Sequence, residues 1–319
     1  MNVLNLYVIN IKQMKLLFKI RKFFRLSLLL ALIPSLLFAE ELGDKNTLIN
    51  KAASAVTDSV SDTFGKLTLF NGIKKAELEI ETKSQDFQSD VRASIISSLS
   101  ENEKLRTYWL NQTNFSDHND RQTLNTGFIY RNLSSDNKWV RGFNLFYDHE
   151  FPKNHQRASV GLEIKSSAIE LNSNYYQRLS GDKTVGSNTE RAMDGVDAEI
   201  GIQVPYMPSS KIFFQGYEWD GVDYDVKSGN KISLRVRPTA SLEIEIGAED
   251  NDRLSDYKGT AKITFSKTFG EGPERNSGMY ISDTMFEYQD MSGEVYEKVR
   301  RQNRIVKTVS GTVTVARGT

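Results

Sequence analysis

The sequence predicts an all-β protein: a twelve-stranded antiparallel transmembrane β-barrel with a short N-terminal periplasmic helix before it and a C-terminal linker threading its lumen. Three observations carry that prediction. Between Ala76 and Gly270 a run of alternating apolar and polar residues recurs about twelve times, each run closed by Gly, Asn, Asp, Ser or Pro. An export signal stands ahead of the runs, and the connections between them alternate in character. Successive strand side chains point to opposite faces, so each run has one apolar and one polar face. An even number of such strands behind a secretory signal is the pattern of an outer-membrane barrel.

The 319 residues carry 41 basic and 41 acidic side chains and no cysteine. Balanced charge leaves no basic stripe of the kind nucleic acid requires, so no nucleic-acid partner is expected. Without cysteine there is no disulfide scaffold and no thiolate metal or redox site. The absence suits a chain that crosses an oxidising compartment, although chance accounts for it as well. A mean hydropathy of −0.46 resembles that of a soluble protein, but a barrel needs only its lipid-facing half apolar.

Residues 1–39 read as a signal peptide. Lys15, Lys19, Arg21, Lys22 and Arg25 precede the apolar run Leu26–Phe38, whose 13 residues are too few to cross ~30 Å of hydrocarbon as a helix. Cleavage is expected after Ala39; an uncleaved anchor is the alternative, and either Met1 or Met14 serves as the start. Residues 40–74 form a periplasmic segment. Within it Leu48, Ile49, Ala52, Ala53, Val56 and Val60 recur at helical spacing, predicting an amphipathic helix over Asn46–Val60, with a disordered spacer as the other reading.

Residues 75–270 form the barrel. In the first strand Leu78 and Ile80 alternate with Glu77, Glu79 and Glu81; in the sixth Val160, Leu162 and Ile164 alternate with Gly161, Glu163 and Lys165. The eighth sets Val196, Ala198, Ile200, Ile202 and Val204 against Asp197, Glu199, Gly201 and Gln203. The tenth sets Ile232, Leu234 and Val236 against Lys231, Ser233, Arg235 and Arg237, and the eleventh sets Leu242, Ile244 and Ile246 against Glu243, Glu245 and Gly247. A soluble sandwich alternates in the same way. The connections favour a barrel. Those in odd positions (near Lys83–Phe87, Ser116–Asp120, Phe151–Lys153, Gly181–Arg191, Asp220–Ser228 and Asp250–Asp256) are mostly longer and richer in Asp; those in even positions are mostly tight turns. Short periplasmic turns and longer outer loops are expected of a barrel, with strand one running outward and strand twelve returning at Phe269-Gly270. The aromatic residues, among them Tyr108, Trp109, Trp139, Phe146, Tyr147, Tyr176, Phe213 and Trp219, gather toward strand ends, as interfacial girdles would.

The lumen face must satisfy its own charges. Lys231, Arg235 and Arg237 on one strand face Glu243 and Glu245 on the next, and these five are the lumen-lining candidates. Opposite charges across neighbouring strands contribute about 0.2–1 kcal/mol per pair, and a ladder of them suits a lumen that holds polypeptide.

Two stretches go beyond fold class. Arg121–Ile164 contains Gln122, Thr123, Asn125 and Gly127; then Arg131 and Leu133; then Gly142, Asn144, Phe146, Tyr147 and Asp148; then His155, Gln156, Arg157 and Gly161. In this order the residues resemble the translocator barrel of the intimin/invasin family, the inverse autotransporters. Asn174–Gly181 and Ala192–Pro208 look like the strands that follow, and the resemblance covers roughly Ser89 to Gly270. In the tail, Val299, Arg301, Asn303, Ile305 and Val306 match the family's segment after the barrel, which the resemblance implies is a pore linker leading to an exported passenger. The resemblance thus implies type V secretion from the bacterial outer membrane. It also implies assembly by the barrel-assembly machinery and periplasmic chaperones, with outer-membrane lipid as surroundings, and adhesion by analogy. Residues 271–319 are then the linker and a minimal or truncated passenger whose host or surface ligand is unknown. Neither a peptidoglycan-binding module before the barrel nor immunoglobulin-like domains after it are found in the sequence.

No enzyme is expected and no cofactor or metal. His118 with Asp117 and Asp120, and His149 with Asp148 and Glu150, are the acid–base candidates, weighed against solvated rim residues. Gly181–Lys183 and Asp220–Asp225 lack the ligand spacing of a calcium loop. A small porin-like channel, an outer-membrane enzyme and a soluble periplasmic sandwich are the rival readings.

Overall fold

The computed structural model describes residues 72–83, 89–118, 121–220, 227–251, 257–270 and 273–311. The expected signal peptide and the expected helix over Asn46–Val60 lie outside them. Among the described residues, twelve strands close into one antiparallel barrel. In chain order the strands are β1 Ile73–Lys83, β2 Ser89–Asn102, β3 Thr107–His118, β4 Arg121–Leu133, β5 Val140–Phe151, β6 His155–Lys165, β7 Ile169–Arg178, β8 Lys183–Val185, β9 Asn188–Ala192, β10 Asp194–Val204, β11 Met207–Asp220, β12 Lys227–Thr239, β13 Leu242–Asn251, β14 Lys258–Thr268 and β15 Lys307–Gly311. Strands β8, β9 and β15 stand apart from the barrel as a small sheet. Closure is made by β1 against β14, from Lys75↔Thr268 to Lys83↔Thr260. With every strand paired on both sides no edge remains, which is what hydrocarbon, unable to satisfy a bare N–H or C=O, demands. The barrel begins with β1 and ends with β14 at the same mouth, the near mouth.

The alternation separates the faces as expected. Val160, Leu162 and Ile164 of β6 are exposed on the outer face, while Gly161, Glu163 and Lys165 are buried in the lumen. Val196 and Ile202 of β10 and Ile232 of β12 are likewise exposed outward, and Asp197, Gln203, Ser233, Arg235 and Arg237 are buried inward. The fifth connection, residues 152–154, is short as expected, and the third, residues 119–120, is as short as the near-mouth turns, unlike the longer loop expected there. The seventh is no simple loop: β7 pairs directly with β10, and the intervening chain projects from the far mouth as the β8–β9 hairpin.

The aromatic residues also divide differently. Trp109, Tyr130 and Phe143 stack side by side near the near mouth, with centroids 4.9 and 5.3 Å apart along the row, as a girdle should. Phe146, Tyr176, Phe213 and Trp219 instead are buried, turned into the lumen by the same two-residue period that places Asn144 and Asp148 there.

Candidate functional site: the lumen and its occupant

After β14 the chain crosses the near mouth, makes a short 3-10 turn at Ser292–Glu294, and rises through the barrel over residues 295–306. It then adds β15 to β9 beyond the far mouth, from Lys307↔Ala192 to Gly311↔Asn188. The lumen segment forms neither helix nor strand, so most of its backbone groups need partners from the wall; a buried orphan would cost about as much as a lost hydrogen bond. The wall provides them. Arg131 donates to the carbonyls of Val295 and Glu297, Asn174 to that of Arg300 at 3.0 Å, Arg157 to that of Gln302 at 2.6 Å, and Asn125 to that of Asn303 at 2.9 Å. The Val299 N–H donates to Gln112 at 2.9 Å and the Gln302 N–H to the Tyr176 hydroxyl at 2.7 Å.

Charge is matched along the same path. At the near mouth Glu297 meets Lys75 and lies 3.5 Å from Arg275 and 3.6 Å from Arg237. Lys298 pairs with Glu79 and, at 3.3 Å, with Glu77. Arg300 bridges Glu199 and, at 3.2 Å, Glu245. Arg301 grips both oxygens of Asp148, at 2.9 and 2.8 Å, while Arg157 binds the same carboxylate. Arg304 reaches Asp90 at 3.1 Å, and Lys307 pairs with Glu150 where the chain leaves the barrel. Buried ions paired this fully are strongly destabilised when one partner is removed.

Apolar contacts fix the segment's register. Val299 packs with Ile96, Leu110, Ile129 and Phe146; Met291 and Val295 pack with Leu133 and Val140; Val306 packs on Tyr176, Met193 and Trp219. Three glycines make room for the lumen aromatics. Gly127, Gly195 and Gly201 lie opposite Phe146, Trp219 and Phe213 across neighbouring strands, and a Cβ on any of them would fall within 2.4 Å of the facing ring. The rings therefore lie against the wall and offer their faces to guanidinium groups: Arg301 sits 4.3 Å from the Phe146 centroid and Arg300 4.1 Å from that of Phe213. Cation–π attraction holds an arginine over such a face.

Of the five lumen candidates, Arg235 pairs with Glu170 at 3.0 Å, Arg237 with Glu243 at 2.8 Å and with Glu294 at 2.6 Å, and Lys231 reaches Glu81 at 3.7 Å. Glu245 takes Lys262 at 2.9 Å as well as Arg300. Arg235 and Arg237 thus share Glu243, and Lys231 reaches back to the first strand. Of the tail residues, Val299, Asn303 and Ile305 are buried. Much of the contact comes from residues whose part in it the sequence does not indicate: Arg131 and Arg157 enter only through the family resemblance, Asp148 through it and as an acid–base candidate, and Glu297, Lys298 and Arg300 not at all. The two-residue parity of β4, β5 and β6 held the signal for the wall residues; nothing local marks those of the tail.

The chemical candidates do not come together. Asp148 faces the lumen, fully buried; His149 faces outward, stacked on Phe151 with centroids 4.2 Å apart. Glu150, His155 and Glu190 lie close enough to share an ion. The two carboxylates are already neutralised by Arg121 and Lys307, so a divalent ion would have to displace both cations.

The family described as inverse autotransporter, β-domain, matches residues 35–303. Two relatives from Escherichia coli K12 are similar. An attaching and effacing protein homolog is 32% identical over 38% of this chain and 44% of its own length. The inverse autotransporter adhesin YeeJ is 28% identical over 60% of this chain and 9% of its own length. The chain therefore spans less than half the length of these curated relatives. A solved structure from work on in-meso crystallization of membrane proteins superposes with a TM-score of 0.60 at 16% identity, covering 74% of this chain and 100% of the other; at that identity the likeness shows the fold alone.

Proposed function

Since the chain belongs to the inverse autotransporter β-domain family and its barrel is an outer-membrane barrel, we propose that it anchors and exports the polypeptide continuing from its C-terminal end, with residues 296–306 as the pore linker. The observation that carries this reading is the match between tail and wall: the lumen wall satisfies both the charges and the backbone of a polypeptide in transit. The tail enters at the near mouth, the periplasmic side, and emerges beside β9. Folding by the barrel-assembly machinery and periplasmic chaperones belongs to the same proposal, and adhesion is carried over only from the similar adhesin YeeJ. The lumen candidates act as electrostatic lining: Glu243 and Glu245 hold Arg235, Arg237 and Arg300 without leaving an unpaired charge.

An epitope tag fused after Thr319 tests the proposal on intact cells, with outer-membrane fractionation as control. Antibody or protease reaching the tag from outside is the expected result. A tag reached only after permeabilisation would sink the export reading and leave a barrel of porin type.

A further inference from the structure

At the near mouth the described residues carry an apolar surface separate from the barrel wall. Residues 276–291 run as a strap beneath the rim, stapled to four near-mouth turns in succession. The Gly278 N–H donates to the Arg237 carbonyl at 3.0 Å. Tyr206 donates its N–H to the Met285 carbonyl at 2.9 Å and accepts from the Ser282 N–H at 2.8 Å. The Ser167 hydroxyl donates to the Glu287 carbonyl at 2.7 Å, and the Met291 N–H donates to the Asn137 carbonyl at 2.7 Å. Those turns follow β12, β10, β6 and β4, which succeed one another around the barrel. The strap therefore follows an arc of the rim before the Ser292–Glu294 turn sends the chain inward.

Its backbone is held, yet its large apolar side chains are not covered. Ile281 is 77% exposed and Met279 67%, with Met285 and Phe286 also exposed. Four large apolar side chains left exposed within eight residues mark a contact with something other than water. Strands β6, β7 and β10 end near these turns in the exposed apolar residues Ile164, Leu171 and Ile202, so the strap's backbone is bonded to turns that close a lipid-facing wall. Its Tyr288 ring packs on Trp139 with centroids 6.2 Å apart, the kind of aromatic contact that collects at a membrane–water boundary.

We propose that the strap is an interfacial anchor, its Met279, Ile281, Met285 and Phe286 side chains bedded in the phospholipid leaflet on the near side of the membrane. This rests on the barrel being membrane-embedded. No Lys or Arg occurs between Arg275 and Lys298, so apolar area rather than attraction to anionic headgroups drives the insertion. Methionine adapts its shape to an irregular acyl surface. The anchor fixes the depth of the chain just before it enters the lumen.

The chain has no cysteine, so a single introduced thiol reports one position. Nitroxides placed by I281C and M285C in the full chain would be measured in phosphatidylethanolamine vesicles with and without phosphatidylglycerol. L162C, on the lipid-facing wall, and S135C, in an exposed turn, are the references. Frequent collision with oxygen and infrequent collision with an aqueous nickel chelate, as at position 162 and unchanged by phosphatidylglycerol or salt, is the expected result. Nickel access like that at position 135 would overturn the anchor, since the side chains then face water. Protection from both reagents would also overturn it, pointing to a second copy or another segment of the chain as the cover. Failure of the Leu162 reference itself would instead count against the membrane reading of the barrel.

Discussion

Asp148 shows how much one side chain carries. It lies fully buried between Arg157 of the wall and Arg301 of the tail, and Asn125 donates to its second oxygen at 2.7 Å. Asp148→Asn leaves two guanidinium groups without a counter-charge, and a loss of about 3–5 kcal/mol is expected, read as a lower urea midpoint for unfolding in micelles. Arg301→Met should cost less, because Asp148 keeps Arg157; an equal loss would show that the tail, not the wall, depends on the pair. Gly127 works by absence. A Cβ there would lie 2.4 Å from the Phe146 ring, so Gly127→Ala should cost about 1–3 kcal/mol by overpacking. Adding Phe146→Leu should recover part of the loss, and no recovery would mean the ring is not what the glycine accommodates.

The element that holds the tail at its exit is the β8–β9–β15 sheet, tied to the rim by two ion pairs. Arg121 grips Glu190 of β9, and Lys307 of β15 pairs with Glu150. The Arg121 guanidinium holds the Glu190 carboxyl below its ordinary value of 4.5, against the opposing effect of burial. A carboxylate depressed by folding contributes stability that is present above its unfolded value and lost as pH falls through the folded one. Hydrogen exchange in β9 and β15, corrected for intrinsic rates, should therefore stay constant from pH 7 to about 5 and rise only below 4.5. Loosening already near pH 6 would point to His155, which lies 3.2 Å from Glu190, as the controlling group. Arg121→Gln should weaken the acid dependence assigned to Glu190, because Arg121 is the largest of the groups that lower it.

For the whole molecule, the occupied lumen sets permeability. Residues 295–306 fill one side of the barrel, and a cavity of about 440 Å³ remains beside them, lined by Glu79, Glu199, Lys231 and Glu245 among others. At the near mouth Lys75, Arg237 and Arg275 converge on Glu297 in the path. The full chain should give little ion current in planar bilayers. Removing residues 296–319 should open steady, salt-dependent channels, because the charged wall then lines water instead of polypeptide. Equal conductance from both proteins would favour the porin reading. Heat and detergent should unfold the truncated chain more readily, since Arg131, Asp148, Glu199 and Glu79 would each lose a partner.

Much of the barrel was determined by local sequence. The two-residue period of β6, β10 and β12 sets which side chains face lipid, since strand geometry fixes alternation without reference to any neighbour. The family resemblance over Arg121–Ile164 implied a translocator barrel and that of the tail a pore linker; neither indicated which wall residues the tail contacts. Other features required the folded chain. Lys231 was set by sequence against the neighbouring glutamates and also reaches Glu81, because closure brings the first strand around to the last ones and charges meet across the lumen as well as along it. Phe146, Tyr176, Phe213 and Trp219 read as girdle residues, and face inward because alternation, not residue type, decides the face. The β8–β9 hairpin read as a loop, its strands too short to signal themselves without β15 to pair with. What the tail touches is set by contacts between residues far apart in sequence, 55 positions for Arg300 with Glu245 and 222 for Glu297 with Lys75, and such contacts leave no local pattern; they exist only once the barrel has closed around the chain.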